Sequence, residues 1–379
     1  MSSTISPSAC SEQDKPAAVL IIEQKYPSHI EIDIGHKTNA VTFTANNEYL
    51  VSGGREEVRV WRVHDGKQMA AMKAWETYCL AASKDGRWIA AGTGWGDVLV
   101  WDTKTYKQVL KHIEESYISA LDFSHDSARL LSAWGNTATI LNIETCEVVR
   151  GLPHDDRVVA AKYSPQGEWI ATATETSVRT WDSNDGRLLV DINVQVTPDF
   201  NSGLLWFGNH LFVMSDSRIK QIDALTGSVV SEWPITNSSS HIAMPHHKAF
   251  VTYIAHDRNN VLFWDTSTNT HLHLDQSPKD IRSITYSPNG RLLAIVAGKR
   301  ITVTPLLPHI AVSIICYLIS EVSEPIFFIQ IAVRSTTFPH SARRLCHVYT
   351  PHSKTLKFVS TRLRSMPGST INSRTRKHY

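Results

Sequence analysis

The sequence predicts an all-β fold assembled from seven copies of a unit about forty residues long. Two markers recur in phase. Strand-like segments closing on Trp-Asp, or on Trp-Arg in the first, lie at 57–62, 97–102, 177–182 and 261–265. They place Trp61, Trp101, Trp181 and Trp264 at intervals of 40, 80 and 83 residues. Polar turns opening on apolar runs, at 83–89, 124–130, 164–170 and 287–293, set their first serines 41, 40 and 123 residues apart. The third observation is local. Apolar residues alternate over short stretches broken by turns about every eight to twelve residues, the pattern of short antiparallel strands, and the body shows no sustained helical periodicity.

The first unit shows the pattern in full. Val41 and Phe43 alternate, a polar turn follows, then a short apolar run, a Gly-containing turn, and Val58 and Val60 alternating into Trp61. In the wide intervals Leu141 of TATILN and Ile222 of IKQID take the tryptophan position. RITVT, ending at Thr304, supplies the seventh unit 40 residues after Trp264.

Gly35-His36 ahead of the first unit, the Ser-Pro-Asp-Gly-like turns and the Trp-Asp endings resemble WD repeats, and the resemblance spans residues 28–306. It implies a seven-bladed β-propeller of four-stranded blades that acts as an interaction platform. Repeat seven offers three strands. The alternating segment Ile30–Asp33 is expected to supply its fourth by pairing antiparallel with Ile301–Thr304, closing the ring and removing an exposed sheet edge. Blades of this family are often tied by a hydrogen-bonded His, Ser/Thr, Asp and Trp. Here repeat one offers His36, Ser52 and Trp61 with Glu56 near the acid position, and repeat four offers His154, Thr172 and Trp181 with Glu175 there. No set is complete, so the blades are expected to rely more on apolar packing.

Composition bounds the rest. The 379 residues are 42% apolar and 20% charged, which is globular. Cys10, Cys79, Cys146, Cys316 and Cys346 are odd in number and far apart, which argues against a disulfide framework or zinc module and for a reducing, intracellular location, cytoplasmic or nuclear. Residues 1–27 read as a polar extension without a secretory signal, so the sequon at Asn237 is expected to stay unmodified. After Leu306 the phase is lost, and 307–379 reads as an irregular basic tail. From Arg334 onward there are ten Lys/Arg and no acid, leaving 28 basic against 36 acidic residues in the preceding chain. The tail reads either as a basic arm for nucleic acid or anionic lipid or as a segment without evolved structure. The uncharged stretch 301–320 matches a bilayer in length. Its start is needed as a strand and prolines interrupt it, so no membrane span is expected.

Catalytic patterns are sparse. Gly92-Thr93-Gly94-Trp95-Gly96 resembles a phosphate loop, but a strand follows where such a loop needs a helix, so it reads as a hairpin turn. His246, His247, His256, His271 and His273 lack a carboxylate at ligand spacing, and no cofactor or metal is expected. The favoured function is a non-enzymatic scaffold or adaptor for a protein or peptide. The alternatives are a nucleic-acid-associated propeller using its tail and a propeller-type hydrolase. The tryptophans of the repeat position, with Trp88 and Trp169, read as packing. Trp75, in a linker, and Trp95 and Trp134, in the hairpin turns before the third strands of repeats two and three, share one expected rim, bordered by Arg55, Glu56, Asp155, Asp156 and Arg157. Of these, Arg55, Trp75, Trp95, Trp134, Asp155 and Arg157 are the candidate binding residues.

Overall fold

The computed structural model describes residues 19–24, 30–197, 203–215, 218–234, 241–245, 250–254, 258–265, 270–273, 278–305, 329–335, 343–348 and 357–362. His246, His247, His256 and Asn237 lie outside them. The chain divides into two compact units, Ser28–Leu307 and the remainder, Met1–Pro27 with Pro308–Tyr379.

The larger unit is a seven-bladed propeller of four-stranded antiparallel sheets. In blade two, Thr77–Ala82 lies innermost, followed outward by Trp88–Thr93, Asp97–Asp102 and Gln108–Ile113. The innermost strands succeed one another around the axis, and that of blade seven, Ile281–Tyr286, returns to that of blade one, Ala40–Phe43. Register preserves the sequence phase. Trp61 opposes Leu50, Trp101 opposes Ile89, Leu141 opposes Leu130, Trp181 opposes Ile170 and Ile222 opposes Leu211. All five repeat-position side chains are buried.

The same turn chemistry recurs from blade to blade. After the innermost strand, a serine hydroxyl accepts the N–H five residues on, Trp88 to Ser83 at 2.8 Å, Arg129 to Ser124 at 2.9 Å and Trp169 to Ser164 at 3.0 Å. Past the third strand, the residue after the repeat position caps its turn. Asp102 Oδ1 accepts from the N–H groups of Lys104 and Thr105, and Asn142 does so from Glu144 and Thr145. The core lies between blades. Val51 and Val60 of blade one meet Ile89 and Trp101 of blade two, and Leu131 and Ile140 of blade three meet Ile170 and Trp181 of blade four.

Closure is as the alternation predicted. Ile30–Asp33 pairs antiparallel with Arg300–Pro305, Ile30 opposite Val303 and Asp33 opposite Arg300, so the first propeller strand becomes the outermost of the last blade. The second unit, in a stretch without repeat phase, contains one sheet ordered Val19–Gln24, Ile329–Ser335, Arg343–Val348, Lys357–Arg362, with the first pair parallel.

Candidate interaction face

Blade topology sends two kinds of connection to one face of the ring: the linkers entering each innermost strand, and the turns between second and third strands. These are laced together by backbone hydrogen bonds. Glu76 N–H donates to Arg55 O at 2.7 Å, Gly94 to Glu76 O at 2.8 Å, Glu114 to Gly96 O at 2.9 Å and Val158 to Gly135 O at 2.8 Å. Close approach fixes one residue type. A Cβ on Gly96, at φ +85°, would stand 2.3 Å from Glu114 O, so only glycine lets linker and turn meet. The glycine-rich run is thus a turn between the antiparallel strands Trp88–Thr93 and Asp97–Asp102.

The lacing holds Trp75 in its linker at 57% exposure and Trp95 at the turn tip at 71%. Ile113, the last residue of blade two's outer strand, is 64% exposed. Trp134 behaves differently. It ends the second strand of blade three, its Nε1 donates to Thr139 Oγ1 at 2.9 Å, and its ring packs on the cluster between blades two and three. It lies over its own blade because a polar partner stands across the hairpin.

The charged candidates split similarly. Arg55 is exposed. Asp155 is drawn into a structural pair, accepting from Arg179, which also reaches Asp191 at 2.9 Å and Pro153 O at 3.2 Å. That guanidinium holds the Asp155 carboxyl below its ordinary range. Arg157 donates to the Tyr117 hydroxyl at 2.6 Å and to Glu175 at 3.2 Å, with its guanidinium 5.8 Å from the Tyr117 ring centre. Tyr117 in turn meets Tyr78 edge-on at 6.3 Å. Tyr78, Tyr117 and Ile113 were missed in the sequence. The available signal was columnar: Glu76, Tyr117 and Arg157 stand 41 and 40 residues apart, at the head of successive inner strands.

Beneath the face, the polar sets are partial. In blade four, Trp181 Nε1 donates to Thr172 Oγ1 at 2.8 Å and His154 Nε2 lies 2.7 Å from the same oxygen. His154 Nδ1 faces Leu152 O at 2.9 Å. This is satisfied by a neutral ring that carries its proton on Nδ1 and accepts the threonine hydroxyl at Nε2. Burial, reinforced by Arg179, depresses the imidazole to about 4. Glu175 is turned outward to Arg157 instead of completing the set. In blade one Trp61 Nε1 donates to Ser52 Oγ at 2.8 Å. Among the described residues no group of three or more His, Cys, Asp or Glu is placed to hold a metal ion, and no helix is long and apolar enough to cross a membrane.

The family model for the WD domain, G-beta repeat matches residues 67–102 and 146–182. Each match runs from one blade's outer strand or its approach through three strands of the next. A WD repeat-containing protein, SL1-17 of Schistosoma mansoni, is 24% identical over 164 residues, 42% of this chain; the chain spans about half, 52%, of that relative's length. Among solved structures, the β-propeller domain of Cps50 (Swd1) from Myceliophteria thermophila superposes with a TM-score of 0.63 at 15% identity, over 71% of this chain and 96% of that one. Hydrazine synthase of Kuenenia stuttgartiensis gives 0.63 at 12% identity, over 75% and 97%. At these identities the two structures speak for the fold alone.

Proposed function

We propose, from the premise that the chain belongs to the WD-repeat family, that it is a non-enzymatic scaffold or adaptor holding a protein or peptide on the face laced from linkers and turns. The observation that carries this reading is the pair Trp75 and Trp95, more than half exposed on backbone pinned by hydrogen bonds. An indole buries roughly 150–250 Å² when covered, and at about 25 cal/mol per Å² that supports several kcal/mol of association. Rigid presentation keeps the ordering cost low. Tyr78, Tyr117 and Arg157 extend the surface toward the axis, and Arg55 borders it.

The test is affinity capture with the full chain against Trp95→Ala and Trp75→Ala, read by quantitative mass spectrometry, with melting midpoints in parallel. Each variant should lose at least tenfold of its specific partner while its melting midpoint moves by under about 2 °C. Retained capture by both would move the interaction elsewhere. The domain reading belongs to the same proposal: an extension 1–27, a propeller 28–306 and a tail 307–379, in an intracellular protein. The acid-free basic tail supports a second reading, nucleic-acid association, which salt-sensitive RNA binding lost on deleting 334–379 would favour.

A further inference from the structure

The axis of the ring holds two adjoining cavities that share Thr42, Lys162, Leu205 and Thr285 among their walls. The larger, about 480 Å³, opens on the face opposite the laced one, where the turns after the innermost strands gather Lys84, Pro165, Pro245 and Pro288 around its mouth. Among the described lining residues its charge lies on one wall. Lys84 of blade two, Asp122 of blade three and Lys162 of blade four are the charged lining residues, while blades five, six, seven and one contribute uncharged groups such as Trp206, Met244 and Tyr286. Two ammonium groups thus face one carboxylate.

The carboxylate is already engaged. Asp122 Oδ2 accepts from Tyr163 N–H at 2.8 Å. Lys84 Nζ donates to Pro165 O at 3.0 Å and stands 3.2 Å from His125 Nδ1. Lys162 Nζ makes no hydrogen bond among the described residues. Its backbone is pinned, since Trp206 Nε1 donates to Lys162 O at 3.3 Å and the Trp206 ring stacks on Trp169 at 6.3 Å. Lys162 is a half-buried residue on a fixed strand beside an aromatic wall, and an incoming anion would give its ammonium a hydrogen-bond partner that no described residue supplies.

We infer that this axial cavity is an anion-binding site, in which Lys162 and Lys84 take a carboxylate or phosphate group of a partner segment whose apolar neighbours lie against the opposite, uncharged wall. Desolvation, which holds Lys84 below the ordinary lysine range, would be relieved by the same anion. Asp122 sets the affinity from the other side, as a fixed competitor for both ammonium groups. This site lies at the far end of the axis from Trp75 and Trp95, and is independent of the interaction proposed there.

Isothermal titration of the full chain with two probes tests it: inorganic phosphate, and an acetylated, amidated Leu-Asp-Glu-Phe tetrapeptide. Saturable binding of the peptide alone assigns a carboxylate, and of phosphate alone a phosphate. Lys162→Met should weaken the bound probe at least tenfold, Lys162→Arg should retain it within about threefold, and Asp122→Asn should tighten it severalfold. Trp95→Ala should leave it unchanged, which separates this site from the laced face. The Arg and Asn variants keep the test decisive should the Met variant fold poorly. Absence of saturation by either probe up to 10 mM, or an Asp122→Asn chain that binds no tighter than the parent, would overturn the assignment.

Discussion

Blades three and four are built on the same register, yet they are fastened differently. At three equivalent positions blade four carries His154, Thr172 and Trp181, and blade three carries Glu114, Ser132 and Leu141. In blade four one threonine oxygen joins an indole and an imidazole, all buried. In blade three Ser132 reaches Glu114 at 3.4 Å, Glu114 pairs with His112 at 3.2 Å, and Leu141 fills the tryptophan site at 0% exposure. The blade therefore tolerates either a polar clasp or an apolar plug. Sheet register and inter-blade packing are common to both; the clasp adds specificity to a geometry already set by burial.

The largest effect should follow from breaking the clasp. Thr172→Val keeps shape but strands two buried polar groups, and should cost about 2–4 kcal/mol in urea unfolding. Trp134→Ala, which strips the indole covering blade three, should cost about 2 kcal/mol, far more than Trp95→Ala. An equal effect of the two would erase the distinction drawn between them.

Acid should next separate the blades by sign. His154 is neutral in the fold, with its value lowered from 6.5 to about 4. Its contribution is complete above pH 6.5 and is lost as pH falls toward 4, on the order of 2–3 kcal/mol. Burial raises Glu114 instead, so its contribution is present below the ordinary carboxyl value and is lost as pH rises through the shifted one. Stability against pH should therefore flatten on the acid side in His154→Gln, and Glu114→Gln should gain relative to the parent as pH rises above the ordinary carboxyl value. Ser132→Ala should cost under about 1 kcal/mol, since its bond is long. Smallest of all, truncation after residue 306 should leave the melting midpoint within about 2 °C, with limited proteolysis of the full chain cutting beyond that point first.

The fold was legible because phase is a one-dimensional property: forty-residue spacing gives Leu141 and Ile222 the same repeat position as Trp101 without any knowledge of the third dimension. Closure was legible too, through a surplus strand at Ile30–Asp33 and a missing one at the other end. The face was legible in part. Linker and turn positions expose Trp75 and Trp95 wherever the side chain finds no partner. Trp134 differs because Thr139, three residues beyond its two-residue turn, captures the indole, a matter of rotamer that position alone does not decide. Tyr117 and Arg157 touch because a column of the repeat comes together in space, and Lys84 with Lys162 converge only once a ring is drawn.

The seam between Ile30–Asp33 and Arg300–Pro305 also sets a clock. About 270 residues separate Asp33 from Val303 in the chain, and synthesis runs at about 5–20 residues per second. The nascent protein therefore carries its closing strand unpaired for roughly 14–54 seconds while every later blade is made. During that interval the growing stack ends in an open edge, and the order of synthesis, more than any single contact, decides when the ring becomes whole.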